Sequence, residues 1–309
     1  MMREVKSVVI TGPTGAIGTA LCKLLSENGI IVYAVIRPES YRSGHLRGIK
    51  GVKIVKCDVA GLNKLPDFIP SADAFFHFAW AKTIGQGRND MYAQIKNVQY
   101  TLDAVRVASA LGASVFIGAG SQAEYGRVNH ALTAETPCFP ENGYGMAKLC
   151  AGQMSRVECE KLGIEHIWPR FLSVYGPYDG ENALIPILIK KLLNREKMPL
   201  TFGEQIWDYL YADDAAEALY RLALYGKSGS VYPIGCGSAR PLREYLEMLR
   251  DTIDPSLPLG LGEVPYGDKQ VMYLEADLSA IEKDTGFRPD TSFEEGIRKT
   301  ITFIRKLNR

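Results

Sequence analysis

The sequence predicts an α/β chain, a doubly wound parallel sheet with a smaller C-terminal lobe interleaved with it. Three observations predict this. Short apolar runs of the buried-strand type alternate with helical patterns as far as Phe171. A glycine-rich turn joins the first run to the first helix. Beyond Phe171 the strict alternation stops but strand-like pieces continue, so the second lobe is not an independent module.

Ser7 to Ile10 is the first strand, and Gly12, Gly15 and Gly18 follow it. A helix then carries Ile17, Leu21, Leu24 and Leu25 on one face until Asn28-Gly29 stops it. Ile30 to Ile36 is the second strand and completes a βαβ unit. Between a strand and a helix, glycines at this spacing allow a tight turn, close approach of a pyrophosphate and close helix packing. The loop is therefore read as nucleotide-binding. Its spacing is G-x-x-G-x-x-G, with Pro13 inside it. An acidic residue closing the second strand would bind the ribose 2′-hydroxyl of NAD, but Arg37 stands there, with Ser40 and Arg42 nearby. A guanidinium suits the 2′-phosphate of NADP, so NADP is expected, with NAD as the alternative.

Lys53 to Lys56 is the third strand, ending at Cys57-Asp58-Val59, and Ala74 to Phe78 is the fourth, running into Ala79-Trp80. His77 inside that strand is read as a satisfied core histidine. A long helix is expected from about Asn89 to Leu111, with Asn97 in its middle read as a solvated amide. Ser114 to Gly118 is the fifth strand, and it places Ser121 at the edge that carries the glycine loop. A helix from about Asn142 to Leu162 is closed by Gly163, and His166 to Phe171 is the sixth strand. Further on, Leu184 to Leu193 reads as a helix broken by Pro186, and Pro199 to Tyr211 as strand-like. Asp213-Asp214 is read as the cap of a helix through Leu224, and Ser230 to Gly235 as a short strand. Helices from Leu242 to Ile253 and from Phe293 to Leu307 flank a Pro/Gly-rich loop, Asp254 to Gly267.

Lys and Arg number 36 against 35 Asp and Glu, so no basic field argues for nucleic acid or an anionic membrane. The six cysteines form no CxxC pair or Cys/His cluster, so no zinc site or disulfide framework is expected. No signal-peptide pattern precedes the first strand, and no apolar run approaches membrane-spanning length. A soluble cytoplasmic protein without a metal is expected.

Tyr144 and Lys148 lie four apart on a predicted helix, so both can face one pocket. A phenol is a poor base at neutral pH, and a cation beside it favours the phenolate. Such a pair can exchange a proton with a sugar-type hydroxyl or carbonyl while a cofactor handles the hydride. The spacing alone is common on surface helices, and its meaning depends on the surrounding motifs.

Those motifs keep one order along nearly the whole chain. Thr11-Gly12, Gly15, Gly18, Asp58, His77-x-Ala79 and Asn97 come first. Ser121 then stands four residues before Tyr125-Gly126, and Glu135, Pro137 and Pro140 precede Tyr144 and Lys148. Arg170, Val174-Tyr175-Gly176-Pro177, Asp208-Tyr209-Leu210-Tyr211, Asp213-Asp214 and Gly286-Phe287-x-Pro289 complete the series. Together they resemble the extended branch of the short-chain dehydrogenase/reductase superfamily, whose members are nucleotide-sugar epimerases, dehydratases and reductases.

The resemblance implies a Rossmann-like domain over residues 1–172, with 199–227 returning to it, and a mainly substrate-binding lobe over 173–309. It implies that Tyr144 is the acid/base, that Lys148 holds the nicotinamide ribose and lowers the tyrosine's pKa, and that Ser121 orients the substrate oxygen. The cofactor would lie along Gly12, Gly15, Ala16, Ile17, Gly18, Arg37, Asp58, Val59, Phe78, Ala79 and Trp80 and against Tyr144 and Lys148, and the substrate near Gln122, Ser173 and Trp207. The helices near 90–111 and 142–162 are those such proteins pair into a homodimer. Departures from the family pattern narrow the chemistry. Gln122-Ala123 stand where dehydratases of this branch carry an Asp-Glu pair, so 4,6-dehydration is not expected. Ser173 replaces an asparagine and Trp207 an arginine that usually hold the nucleotide diphosphate. The expected activity is NADPH-linked reduction of a 4-keto-6-deoxy nucleotide sugar at C4. The alternatives are a 4-epimerase with tightly held NAD and, from another class, a non-catalytic NADP-binding sensor.

Overall fold

The computed structural model describes residues 2–307. Its main sheet holds seven parallel strands: β1 (Ser7–Thr11), β2 (Ile31–Ile36), β3 (Val52–Lys56), β4 (Ala74–His77), β5 (Val115–Gly118), β6 (Glu165–Phe171) and β7 (Ser230–Ile234). They lie in the order 3-2-1-4-5-6-7, and Gly120–Ser121 adds a short pairing to Arg170–Phe171. The winding reverses between β1 and β4, and there the carboxyl ends of the strands open a crevice.

β1, β4 and β5 are apolar on both faces because helices cover both sides of the sheet. Val8 and Ile10 of β1 pack beneath α1 (Ala16–Glu27) and a helix at Ala212–Tyr225. Val9 points the other way, with Phe75 and Phe116, against α2 (Met91–Ala110) and Cys159 of α3 (Gly143–Leu162). β3 is one edge of the sheet, and its exposed Lys53 and Lys56 discourage pairing with another chain.

In the second lobe α4 (Leu184–Leu193), α6 (Leu242–Ile253) and α8 (Phe293–Leu307) enclose a separate apolar cluster. The rings of Tyr175, Tyr209, Tyr245 and Phe293 fill it edge to face. α5 is the helix at Ala212–Tyr225 named above, and α7 spans Ser279–Thr285. Among the described residues no helix is long and apolar enough to cross a membrane.

Three expectations need correction, and one helix is additional. Pro186 does not break α4, because it is the third helical residue, where the N–H it lacks would have no helical partner anyway. Pro199 to Tyr211 is not one strand. Pro199 makes an isolated bridge to Gly260, Ile206–Trp207 pairs with Arg240–Pro241, and Tyr209–Tyr211 pairs with Ser173–Tyr175. Gly203, at φ +72°, turns the chain before the two short strands, and the buried Asp208 carboxylate between them accepts the Gly237 and Ala276 N–H groups at 3.0 and 3.1 Å. Asp213 and Asp214 lie in the first turn of α5 rather than capping it; Asp214 instead accepts from the Asp290 and Thr291 backbone. α7, seven residues closed by Gly286 at φ +68°, was not anticipated.

Candidate active site

The glycine loop is shaped as its sequence demands. Gly12 has φ +70°, and a Cβ there would lie 2.8 Å from the Ala79 nitrogen, so a side chain would push β1 off the end of β4. A Cβ on Gly18 would strike the Gly12 carbonyl oxygen at 2.7 Å. Gly15 differs: nothing lies within 4 Å of its Cβ position, and as N-cap of α1 it offers no side chain to the first-turn N–H groups. Open space over uncapped N–H groups at a helix N-terminus fits a pyrophosphate. Ala16 and Ile17 supply that first turn. Arg37 is exposed just past β2, and Asp58 and Val59 open the turn after β3, where Asp58 accepts from the Ala60 N–H at 2.9 Å. A turn at Tyr41–Leu46 folds back onto the glycine loop, with His45 Nδ1 at 2.9 Å from the Thr14 carbonyl.

Phe78, Ala79 and Trp80 leave β4 over the same edge. His77 is buried in the core as expected but only half satisfied: its Nδ1 lies 2.9 Å from Thr11 Oγ1, its Nε2 has no partner, and burial pulls its pKa down to about 3. Asn97, read as solvated, is buried and clasps the loop. Its Oδ1 accepts the Ala81 N–H and its Nδ2 donates to the Ala81 carbonyl, both at 3.0 Å. One turn earlier Gln94 accepts from Trp80 Nε1 at 2.9 Å and donates to the Lys82 and Gly87 carbonyls. Tertiary burial of two polar residues on one helix face overrode the local reading.

α3 brings in the tyrosine and lysine. Asn142 caps it by accepting the Gly145 N–H at 2.9 Å, and Gly145 sits directly on the Ala123 carbonyl. Tyr144 and Ser121 meet across that contact. Lys148 is buried: its Nζ donates to the Ala119 carbonyl at 2.5 Å and lies 3.7 Å from the Trp80 ring centre. Its distance to the Tyr144 ring centre is 5.8 Å. Burial pulls the Lys148 ammonium down to about 7, against the charge of Glu124, which raises it.

Tyr144 is shifted upward rather than downward. Burial raises its phenol, while the Ser121 hydroxyl and the Arg88 guanidinium act in the opposite direction. Arg88, whose guanidinium lies 4.7 Å from the Tyr144 ring centre, is thus the cation that bears on the phenol, a role expected of Lys148. Arg88 sits in a turn, Gly85–Asn89, that carries no sequence signal of this kind.

A cavity of about 550 Å³ opens beside Leu172 and Ser173, just beyond the strand that pairs with Ser121. It brings Ser173 and Trp207 together; Gln122 is not part of its wall. Among the described residues lining it there is no lysine or arginine. Its one carboxyl is Asp179, pushed up to about 6 by burial. Among the described residues no cluster of His, Cys, Asp or Glu is placed to hold a metal.

A profile of the NAD dependent epimerase/dehydratase family matches residues 8–235. CDP-abequose synthase of Salmonella muenchen is 25% identical over 307 residues, covering 96% of this chain and 97% of that protein. dTDP-glucose 4,6-dehydratase of Salmonella typhimurium is also 25% identical, over 95% of this chain and 91% of its own. Among solved structures, the UDP-N-acetylglucosamine 4-epimerase of Methanobrevibacter ruminantium superposes with a TM-score of 0.88 at 23% identity, covering 99% of this chain and all of its own. With its glycine loop and sheet order, the chain belongs to the NAD dependent epimerase/dehydratase family, in the extended short-chain dehydrogenase/reductase branch.

Proposed function

We propose that the protein reduces the C4 carbonyl of a 4-keto-6-deoxy nucleotide sugar, with NADPH as hydride donor. The observation that carries this reading is that Tyr144 and Lys148 face one another on α3 beside Trp80 and the Ala119–Ser121 turn, with a phenol that burial keeps protonated. A phenol holding its proton at neutral pH is suited to give it to an oxygen that has just received a hydride at its carbon. NADPH, when bound, supplies that hydride. Ser121 orients the substrate oxygen toward the phenol, and Lys148 binds the nicotinamide ribose. Glutamine and alanine at 122 and 123 give the turn no carboxylate to abstract a proton at carbon, which argues against dehydration.

Arg37, exposed and followed by Ser40 and Arg42, supports NADP over NAD. Trp207 supplies a ring for stacking a base or sugar in the cavity, and the near full-length match to CDP-abequose synthase supports the nucleotide-sugar class. The test is to bind NADPH and NADH separately and then screen 4-keto nucleotide sugars for loss of reduced-nicotinamide absorbance. NADPH is expected to bind at least tenfold more tightly and to be consumed one for one. A redox-neutral reaction with cofactor retained through turnover would establish the 4-epimerase instead, and no turnover with tight NADP binding would establish the sensor.

The outward faces of α2 and α3 expose Tyr92, Ile95, Met146, Met154 and Val157, an apolar surface unusual for a free helix pair. We infer a homodimer through these faces. Light scattering is expected to give twice the mass of the chain, and a monomer at micromolar concentration would exclude it.

A further inference from the structure

A carboxylate taken fully out of water persists only where donors satisfy its oxygens. Glu124 is such a group, with no exposed surface. Its Oε1 accepts the Ser121 N–H at 2.8 Å and Trp168 Nε1 at 3.1 Å, and its Oε2 accepts Arg170 Nε at 2.7 Å. The Ser121 hydroxyl in turn accepts the Ala123 N–H at 3.2 Å, so serine and glutamate hold each other across one tight turn. Two residues before Ser121, Lys148 Nζ is bonded to the Ala119 carbonyl. The carboxylate and the ammonium are therefore both anchored to the backbone of residues 119–121.

We propose that Glu124 is a positioning residue of the site, whose buried carboxylate fixes the Ser121 backbone and supplies the negative charge opposed to the Lys148 ammonium. The inference rests on the acid/base reading of Ser121, Tyr144 and Lys148. Other titratable groups packed around Lys148 do not provide that charge: His77 of β4 is buried and neutral, and Tyr144 on its own helix holds its proton. Arg88 lies beyond Tyr144, and Arg170 of β6 lies beyond Glu124. Glu124 is the one charge acting on Lys148 against its burial.

The test removes the charge while keeping an acceptor for the Ser121 N–H. Glu124→Gln alone would leave the buried Arg170 charge uncompensated, so Glu124→Gln with Arg170→Gln is the informative variant. An ammonium whose pKa is lower in the fold than in the unfolded chain makes stability rise as pH increases through the folded value. In the native protein that rise begins near the folded Lys148 value of about 7. In the double variant its onset is expected roughly one pH unit lower. Melting temperature against pH reads it without substrate or cofactor, and Lys148→Met in each background isolates the lysine's share. The alkaline fall of kcat/KM is expected to move down by the same interval. A folded double variant whose melting curve keeps the native onset would overturn the proposal. If the melting onset shifts and the rate profile does not, the charge on Lys148 is confirmed and the acid/base reading is what fails.

Discussion

Tyr144→Phe is expected to lower kcat by about 10²- to 10⁴-fold while leaving NADPH affinity within about threefold of the native value. In the proposed reaction the phenol exchanges a proton with the substrate oxygen, and deleting one oxygen atom leaves the ring itself in place. That ring packs edge-on against Trp80 at 6.1 Å and beneath Arg88, contacts a phenylalanine keeps. Lys148 is held independently, by the Ala119 carbonyl and the Trp80 face, so its position does not depend on the hydroxyl. The loss should therefore fall on kcat with KM little changed. Reduced-nicotinamide fluorescence measures the binding, and single-turnover absorbance the chemistry. Retention of more than about a tenth of native turnover would remove Tyr144 from the acid/base role.

What the sequence made legible was what local rules control. Gly163 at φ +69° and Asn142 at the N-cap mark the ends of α3 because helix termini need a left-handed residue and a side-chain acceptor. The glycine loop was legible for a similar reason: Gly12 turns at φ +70° and Gly18 packs on the Gly12 carbonyl six residues before it, although the approach of Gly12 to Ala79 is a tertiary contact. Asn97, Gln94, Glu124 and Arg88 were not legible in this way. Each is polar and by default belongs on a solvated surface. Their roles come from partners distant in sequence, with Glu124 and Arg170 46 residues apart. The Tyr144 shift depends on the same burial: spacing predicted a cation beside the phenol, but how far the site is shielded from water is a property of the assembled layers.

Gly145→Ala tests whether that assembly, rather than the residues alone, makes the site. Gly145 is the third residue of α3, and a Cβ there would lie 2.2 Å from the Ala123 carbonyl oxygen and 2.9 Å from its carbon. Both atoms are backbone, and the turn that carries them is tied down by Glu124 through Ser121, so neither can yield cheaply. The helix must lift instead. Alanine gains about 1 kcal/mol of helix propensity over glycine, and overpacking costs about 1–3 kcal/mol, so net stability should fall by no more than about 2 kcal/mol. Turnover should suffer far more. Lifting α3 by even about 1 Å separates Tyr144 from Ser121, and a misplacement of that size costs roughly 10²-fold in rate. A melting curve close to native beside a rate about a hundredfold down is the expected pair of results. Native turnover would mean that the backbone contact relaxes elsewhere and that the spacing of helix and turn does not set the geometry of the reaction. A rate lost only in proportion to folded protein would assign Gly145 to stability alone.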